Sequence, residues 1–428
     1  MNGSLKLVAP VVAALAIAAC NAVGISNMPS AVGASQSASS SQTNVPEWKA
    51  KHLAHTLCPQ VVGKPTCLAL QSSLVSPLCS PSSGSCGFTP SDLETAYGLT
   101  SSLGNGSGQT VAVVEAGDDA TASSDLATYR SEFSLGTANL NKYNEHGQQY
   151  NYPPTCANYG WCLETGLDIE MISAACPKCT IDLIEAKDSS PIADFETAET
   201  TAVSVGATIV SNSWICYGSW DCGDANFPTY FDAPGTAYLA SSGDSHYNEI
   251  GGPSVLASVI AVGGTQLTQS GSTYSERIWP DAGAGCASPA VLGGTGIAKP
   301  SWQTDPGCSY RTDADVSAES GCNPGVAIYL TSYGSGEWIS ACGTSAASPF
   351  TAGVIALAGN ATNENGGENF WKLSKKKHKT ELHDIKTGSD GACGVKKNYL
   401  CEAGAGKGRF KTYSGPGGWG TPNGVAAY

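Results

Sequence analysis

The sequence predicts an α/β fold, a mainly parallel sheet with helices on both faces. Two observations lead there. Short apolar, β-favouring runs recur at residues 110–115 (TVAVVE), 180–185 (TIDLIE), 207–211 (ATIVS), 237–241 (AYLAS) and 258–262 (SVIAV). Helical patterns fill gaps at 164–175 and 194–205, and a polar helix is expected around 123–133. Strands apolar along their whole length are buried on both sides, so helices must cover both faces. Ligands on such sheets sit at the carboxyl ends of strands, and the glycine-rich turns after these runs fit that.

The 428 residues are 41% hydrophobic, enough for a large core, and only 14% charged. Ordinary domains carry about 25% charged residues. A formal charge of −14 argues against nucleic acid as a partner. Low carboxylate density limits the ion pairs lost in acid, which suits an acidic workplace.

Residues 1–20 read as an export signal: Lys6, an apolar stretch over 7–19 too short to span a bilayer, and Ile17-Ala18-Ala19-Cys20. That ending resembles the lipobox of bacterial lipoproteins, which implies a lipid on Cys20 and attachment to a membrane in the cell envelope; an ordinary cleaved signal would give a secreted protein. Removing Cys20 from the 17 cysteines leaves an even 16, suited to disulfides in an oxidising compartment. Their order suggests local pairs: 58/67, 79/86, 156/162, 176/179, 216/222, 286/308, 322/342 and 393/401. Cys176-Pro-Lys-Cys179 alternatively reads as a redox or zinc half-site, although no second half-site accompanies it. Residues 21–42 form a Ser/Ala/Gly/Asn tether, and 47–86 a short cysteine-stapled segment containing a helical pattern and a Ser-rich turn at 80–85. Residues 21–86 are therefore expected to act as a short pro-segment, and 87–428 as the working domain. Exposed polar turns are where chains are nicked, so self-cleavage is expected between about 79 and 89.

Chemistry concentrates at Gly343-Thr344-Ser345-Ala346-Ala347-Ser348-Pro349, where a turn delivers a serine to the first turn of an apolar helix. Free N–H groups and the positive helix end favour a developing anion there, as a nucleophile beside an oxyanion site requires. Pro349 is expected within that opening turn. The same motif also reads as a plain helix cap. Glu164 and Asp168, spaced i, i+4 in LETGLDIE, put two acids on one helical face. Close carboxyls share a proton, leaving one able to accept from serine in acid. Asp244, in Ser242-Gly243-Asp244-Ser245 after a strand, can donate to an oxyanion only when protonated.

Together these motifs resemble the sedolisin family, serine-carboxyl peptidases with a subtilisin-like fold. The resemblance runs from Gly87 onward through GQTVAV (108–113), LETGLDIE (163–170), SNSW (211–214), SGD (242–244), AVGGT (261–265), PSWQ (300–303), DVSA (315–318) and GTS (343–345). It implies Ser345 as nucleophile, Glu164 as base, Asp168 as its partner and Asp244 as oxyanion acid. Glu115 and Trp214 match positions that extend the hydrogen-bond chain behind the acids. The resemblance also implies an acid-acting endopeptidase, polypeptide substrates and a monomer. It implies calcium too, held through Asp384, Ile385, Gly404 and Gly406, although Gly408 stands where the last acid ligand is expected and 409–413 look inserted. The long folded pro-domain of typical members is missing, and His246 replaces a frequent glycine.

Three alternatives stay open. A histidine-based subtilase would need a His-Gly-Thr-His context, which none of His52, His55, His146, His246, His378 and His383 has. An α/β-hydrolase esterase would need the second glycine of a nucleophile elbow, absent after Ser345. A degenerate fold could serve as an envelope binding protein. The basic run at 372–379 reads as a solvated face, or else as an anionic contact.

Overall fold

A computed structural model describes residues 1, 49, 51 and 53–428, apart from 75–78, 157–158, 333–334, 374, 392 and 394–397. The export signal, Cys20, His52 and the tether lie outside the described residues. Three short strands come first: β1 (Ala54–Thr56), β2 (Thr66–Cys67) and β3 (Leu70–Ser72). Helix α1 (Pro90–Ala96) follows, closed by a capping box in which Thr89 and Asp92 bond each other's backbone N–H.

The central sheet then builds through β4 (Thr110–Ala116), α2 (Ala122–Glu132), β5 (Asn139–Asn144), α3 (Tyr159–Ala175), β6 (Thr180–Ala186), α4 (Ile192–Ser204) and β7 (Ile209–Asn212). The chain continues with β8 (Trp214–Tyr217), β9 (Ala237–Ser241), β10 (Gly251–Gly252), β11 (Val259–Ser270), β12 (Thr273–Ile278), β13 (Gly285–Cys286), β14 (Thr312–Asp313), β15 (Val316–Glu319), β16 (Val326–Ser332) and β17 (Ser335–Cys342). Helix α5 (Thr344–Ala358) carries the Gly-Thr-Ser serine. The eight-stranded sheet runs β12-β11-β9-β7-β4-β6-β5 with β15 beside β11, and only the β11–β12 pair is antiparallel. All five expected runs are strands of this sheet. They are apolar because the sheet is buried: Val111, Val113, Ile209, Leu239 and Ile260 have no exposed surface.

Helix α5 is buried along almost its whole length and packs against α3. Their approach is close at Gly353, where a Cβ would come within 2.6 Å of the Ala175 methyl. Pro349 is the sixth residue of α5, beyond its opening turn, so the expectation placing it in that turn is corrected. The helix already begins at Thr344, and proline removes the N–H that would reach the Ser345 carbonyl. The Ser213 hydroxyl takes that carbonyl instead, at 3.4 Å.

Two smaller sheets bring the N-terminal strands onto this body, in the orders β1-β3-β17-β16 and β10-β8-β2. The described residues from Lys49 onward belong to one compact unit. All eight expected cysteine pairs are disulfides, Cys176–Cys179 among them. Such a set belongs to an oxidising compartment. Among the described residues no helix is long and apolar enough to cross a membrane. In the basic run, Lys372 and Lys377 pair with Glu368 and Glu381, and among its described residues only His378 is buried, stacked 4.1 Å from the Trp419 ring. That is a solvated face with one anchoring side chain.

Candidate active site

Ser345 sits at the second position of α5, presented by Gly343 with φ 108°. A left-handed backbone is needed there, and a side chain would have no room. A Cβ on Gly343 would meet Asp244 Oδ2 at 2.5 Å and the Leu68 carbonyl at 2.6 Å. The Ser345 hydroxyl lies 3.4 Å from the Ser213 carbonyl oxygen. It also lies close enough to Glu164 to ease that carboxyl's ionisation.

Glu164 and Asp168 project from one face of α3, as their spacing requires, and both are 0% exposed. Burial raises Glu164 well above the usual carboxylate range, and the Asp168 charge adds to it. Burial raises Asp168 as well, to about 8, and the nearby Ser213 and Glu115 side chains offset part of that rise. Glu115 stands on β4 behind the pair, itself raised by burial and by the neighbouring acids. Its parallel-strand neighbour on β6 is Glu185, pushed up to about 8 by burial despite Lys142 at 3.1 Å. The acids thus form a row from the serine towards Lys142. Glu185 was not singled out in the sequence. A strand acid in a buried parallel sheet was the available signal.

Asp244 follows β9 and lies against the start of α5. Its Oδ1 accepts the Thr344 N–H at 2.9 Å and the Thr344 hydroxyl at 2.8 Å. Burial pushes its carboxyl up to about 7, although both Thr344 bonds favour the anion. Below that pH it carries a proton and can donate. The Tyr217 hydroxyl accepts the Asp244 N–H at 3.1 Å and fixes the loop. Thr344 and Tyr217 were missed because neither stands out as a titratable group in sequence.

Trp214 departs from expectation. Its ring packs against Phe195, Phe227 and Phe231, and among the described residues its indole N–H has no hydrogen-bond partner. It therefore supports the site by packing. The described histidines are engaged elsewhere. His246 faces Asp281 and Asp390, at 3.5 and 3.8 Å. His146 faces Glu145, and His378 bonds the Phe370 carbonyl. His55 lies exposed on β1 and His383 on the short strand Leu382–His383.

The resemblance to a calcium site fits poorly. The segments around Asp384 and Gly404 do run together, with Ala403 N–H on the Gly388 carbonyl at 3.1 Å, and Asp384 Oδ1 is buried with no hydrogen-bond partner among the described residues. Asp384 is the one acid offered by Asp384, Ile385, Gly404 and Gly406. Lys386 and Lys379 already offset its charge. Ile385 packs its side chain against Ile278 and Ala403.

The subtilase family model matches residues 106–387. This chain is a subtilase. Among solved structures it is similar to Pseudomonas sedolisin, a serine-carboxyl proteinase complexed with two molecules of pseudo-iodotyrostatin: 25% identity, TM-score 0.63, covering 79% of this chain and 96% of that one. It also resembles a lanthipeptide protease at 15% identity and TM-score 0.48, over 79% of this chain and 92% of that one. Fervidolysin from Fervidobacterium pennivorans, a keratinolytic enzyme, matches at 15% identity and TM-score 0.44, over 78% of this chain and 44% of that one. No curated protein sequence matches. As a subtilase the protein is a serine peptidase acting on polypeptides.

One further group enters this site unannounced by any motif. Glu164 Oε2 accepts the backbone N–H groups of Leu68 and Ala69, both at 2.6 Å, from the segment joining β2 to β3. Ser345, Glu164 and Asp168 are consequently sealed from solvent. The stretch at about 79–89, where nicking is expected, lies downstream of the residues whose N–H groups reach Glu164.

Proposed function

We propose that this subtilase is an exported endopeptidase of the serine-carboxyl kind, working in acid. Ser345 attacks the scissile carbonyl carbon and passes its proton to Glu164, which Asp168 orients through their shared charge. The oxyanion receives hydrogen bonds from the Ser345 N–H and from protonated Asp244. What carries the reading is the company of the serine: buried carboxyls stand on one side and a carboxyl bonded to Thr344 on the other. No described histidine is directed towards it. Likeness to Pseudomonas sedolisin supports the same mechanism.

In this reading the protein leaves the cytoplasm through the signal at 1–20, is held to the envelope by lipid on Cys20, and works as a monomer. Any calcium bound near Asp384 is bound weakly, so chelation should leave the melting temperature unchanged. The deciding experiment is hydrolysis of a denatured protein from strong acid to mildly alkaline pH, with Ser345→Ala and Glu164→Gln beside the wild type. Both variants should lose turnover while keeping the native circular dichroism spectrum. An active Glu164→Gln variant would overturn the carboxylate base.

A further inference from the structure

The segment between β2 and β3 crosses the site in a particular way. Upstream of Leu68, Thr66 and Cys67 pair antiparallel with Ile215 and Trp214 of β8. Downstream, Leu70 and Gln71 pair antiparallel with Cys342 and Ala341 of β17, the strand that runs directly into Gly343-Thr344-Ser345. Between the two pairings lies the Leu68–Ala69 peptide bond. The Leu68 N–H reaches the Ser213 carbonyl at 3.3 Å, the same oxygen that lies 3.4 Å from the Ser345 hydroxyl. The Leu68 carbonyl faces the same point above Gly343 as Asp244 Oδ2. Its carbonyl oxygen is thus beside the group that would stabilise an oxyanion, and its amide is beside the base.

The side chains fit this placement. Leu68 packs with Ile215 and Tyr217 in a small apolar cluster of its own. Gly243 forms the floor, since a Cβ there would come within 3.3 Å of both Ile215 and Tyr217. Leu70 enters a second apolar group with Trp279 and the Cys322–Cys342 disulfide. Extended backbone bonded on both flanks, with alternate side chains in pockets, is how a polypeptide substrate is held.

We infer that residues 66–71 occupy the cleft as a substrate does, and that Ser345 cuts its own chain at Leu68–Ala69, in a site selective for a leucine-sized apolar side chain between Ile215 and Tyr217. This inference rests on the serine-carboxyl reading. Ser345 Oγ bonds to the Leu68 carbonyl carbon and its proton moves to Glu164. The Leu68–Ala69 C–N bond then breaks, with that proton delivered to the Ala69 nitrogen. One water hydrolyses the Leu68 ester, regenerating Ser345 and leaving a Leu68 carboxyl. Until the cut, the segment excludes other substrates.

The full chain, purified near neutrality, is moved to acid and followed by mass spectrometry after reduction, beside Ser345→Ala and Leu68→Asp. The wild type should yield a fragment ending at Leu68 and a product beginning at Ala69. Ser345→Ala should stay intact, and Leu68→Asp should be cut there at least tenfold more slowly. On quenched peptides carrying Thr-Ser-Leu-Ala-Leu-Gln, replacing the first leucine by aspartate should lower kcat/KM at least tenfold. A wild type cut elsewhere, or uncut, while hydrolysing denatured protein in a Ser345-dependent way would overturn the inference and spare the mechanism. Equal hydrolysis of the two peptides would do the same. Absence of any Ser345-dependent hydrolysis in acid would overturn both.

Discussion

Thr344 gives both its backbone N–H and its hydroxyl to one oxygen of Asp244, at 2.9 and 2.8 Å. The residue before Ser345 therefore fixes this acid, whose second carboxyl oxygen and the Leu68 carbonyl oxygen both lie close to the space above Gly343. With that carboxyl pushed up to about 7, the donor is present in acid and lost as pH rises through about 7. In the proposed mechanism the Glu164–Asp168 pair sets the other limb, because neighbouring acids titrate together and the first proton leaves at lower pH than the second. Asp244→Asn should cut the maximal rate by roughly 10²-fold or more and flatten the alkaline loss. An unchanged pH–rate profile would exclude the role.

The buried carboxyls also govern stability, with an unusual sign. Asp244 and Asp313 are raised to about 7, and Glu185 to about 8, each mainly by burial. Each group holds its proton more tightly in the folded than in the unfolded chain, whose carboxyls titrate near ~4. The resulting stabilisation is complete below pH ~4 and disappears as pH rises through the folded values. With the inactive Ser345→Ala chain, the urea midpoint should fall between about pH 4 and pH 8. A midpoint rising over that interval would contradict the carboxyl environments.

Gly343→Ala tests the turn without touching a reacting group. Its φ of 108° and the oxygens of Asp244 and Leu68 leave no place for a methyl. Relief requires moving one of them. The expected result is at least a hundredfold loss of acid hydrolysis, the scale on which ~1 Å displacements act. Near-normal kcat in a folded Gly343→Ala protein would show that the turn tolerates the shift.

Asp315, from the DVSA stretch, serves the frame. It accepts from Arg311 Nη1 and Nη2, from the Trp371 indole at 2.7 Å and from the Ala261 N–H at 2.9 Å, all out of water. Truncating one partner of a buried pair leaves the other uncompensated, at a cost of about 3–5 kcal/mol. Asp315→Ala should therefore lower stability by that amount in urea unfolding. A loss under about 1 kcal/mol would mean the guanidinium finds water or another acceptor.

Local signals made much of this legible. The apolar runs became sheet strands because burial on both faces is written into composition, and i, i+4 spacing alone placed Glu164 beside Asp168. The cysteine pairs were readable because each closes a short loop. Leu68 and Ala69 carry no such mark: their role lies in backbone N–H groups, which every residue owns, aimed at an acid 95 and more positions away. Trp214 misled for the opposite reason. Its position matched a motif, yet the three phenylalanines around it decide where the ring lies.

Strand β3 is shared between β17 and β1, whose Ala54–Thr56 lies antiparallel to Leu70–Ser72. Cys58 and Cys67 bridge each other on the same side of Leu68–Ala69, so among the described residues no disulfide would tie the severed piece to the remainder. Among the described residues it is retained by a three-residue ladder along β1, the two residues of β2 and a few single bonds, such as the Gly63 N–H to the Tyr217 carbonyl at 3.2 Å. Bond scission and the appearance of activity thus become separate events. Between them lies a lag, whose length is set by fraying of short strands at the rim of the protein.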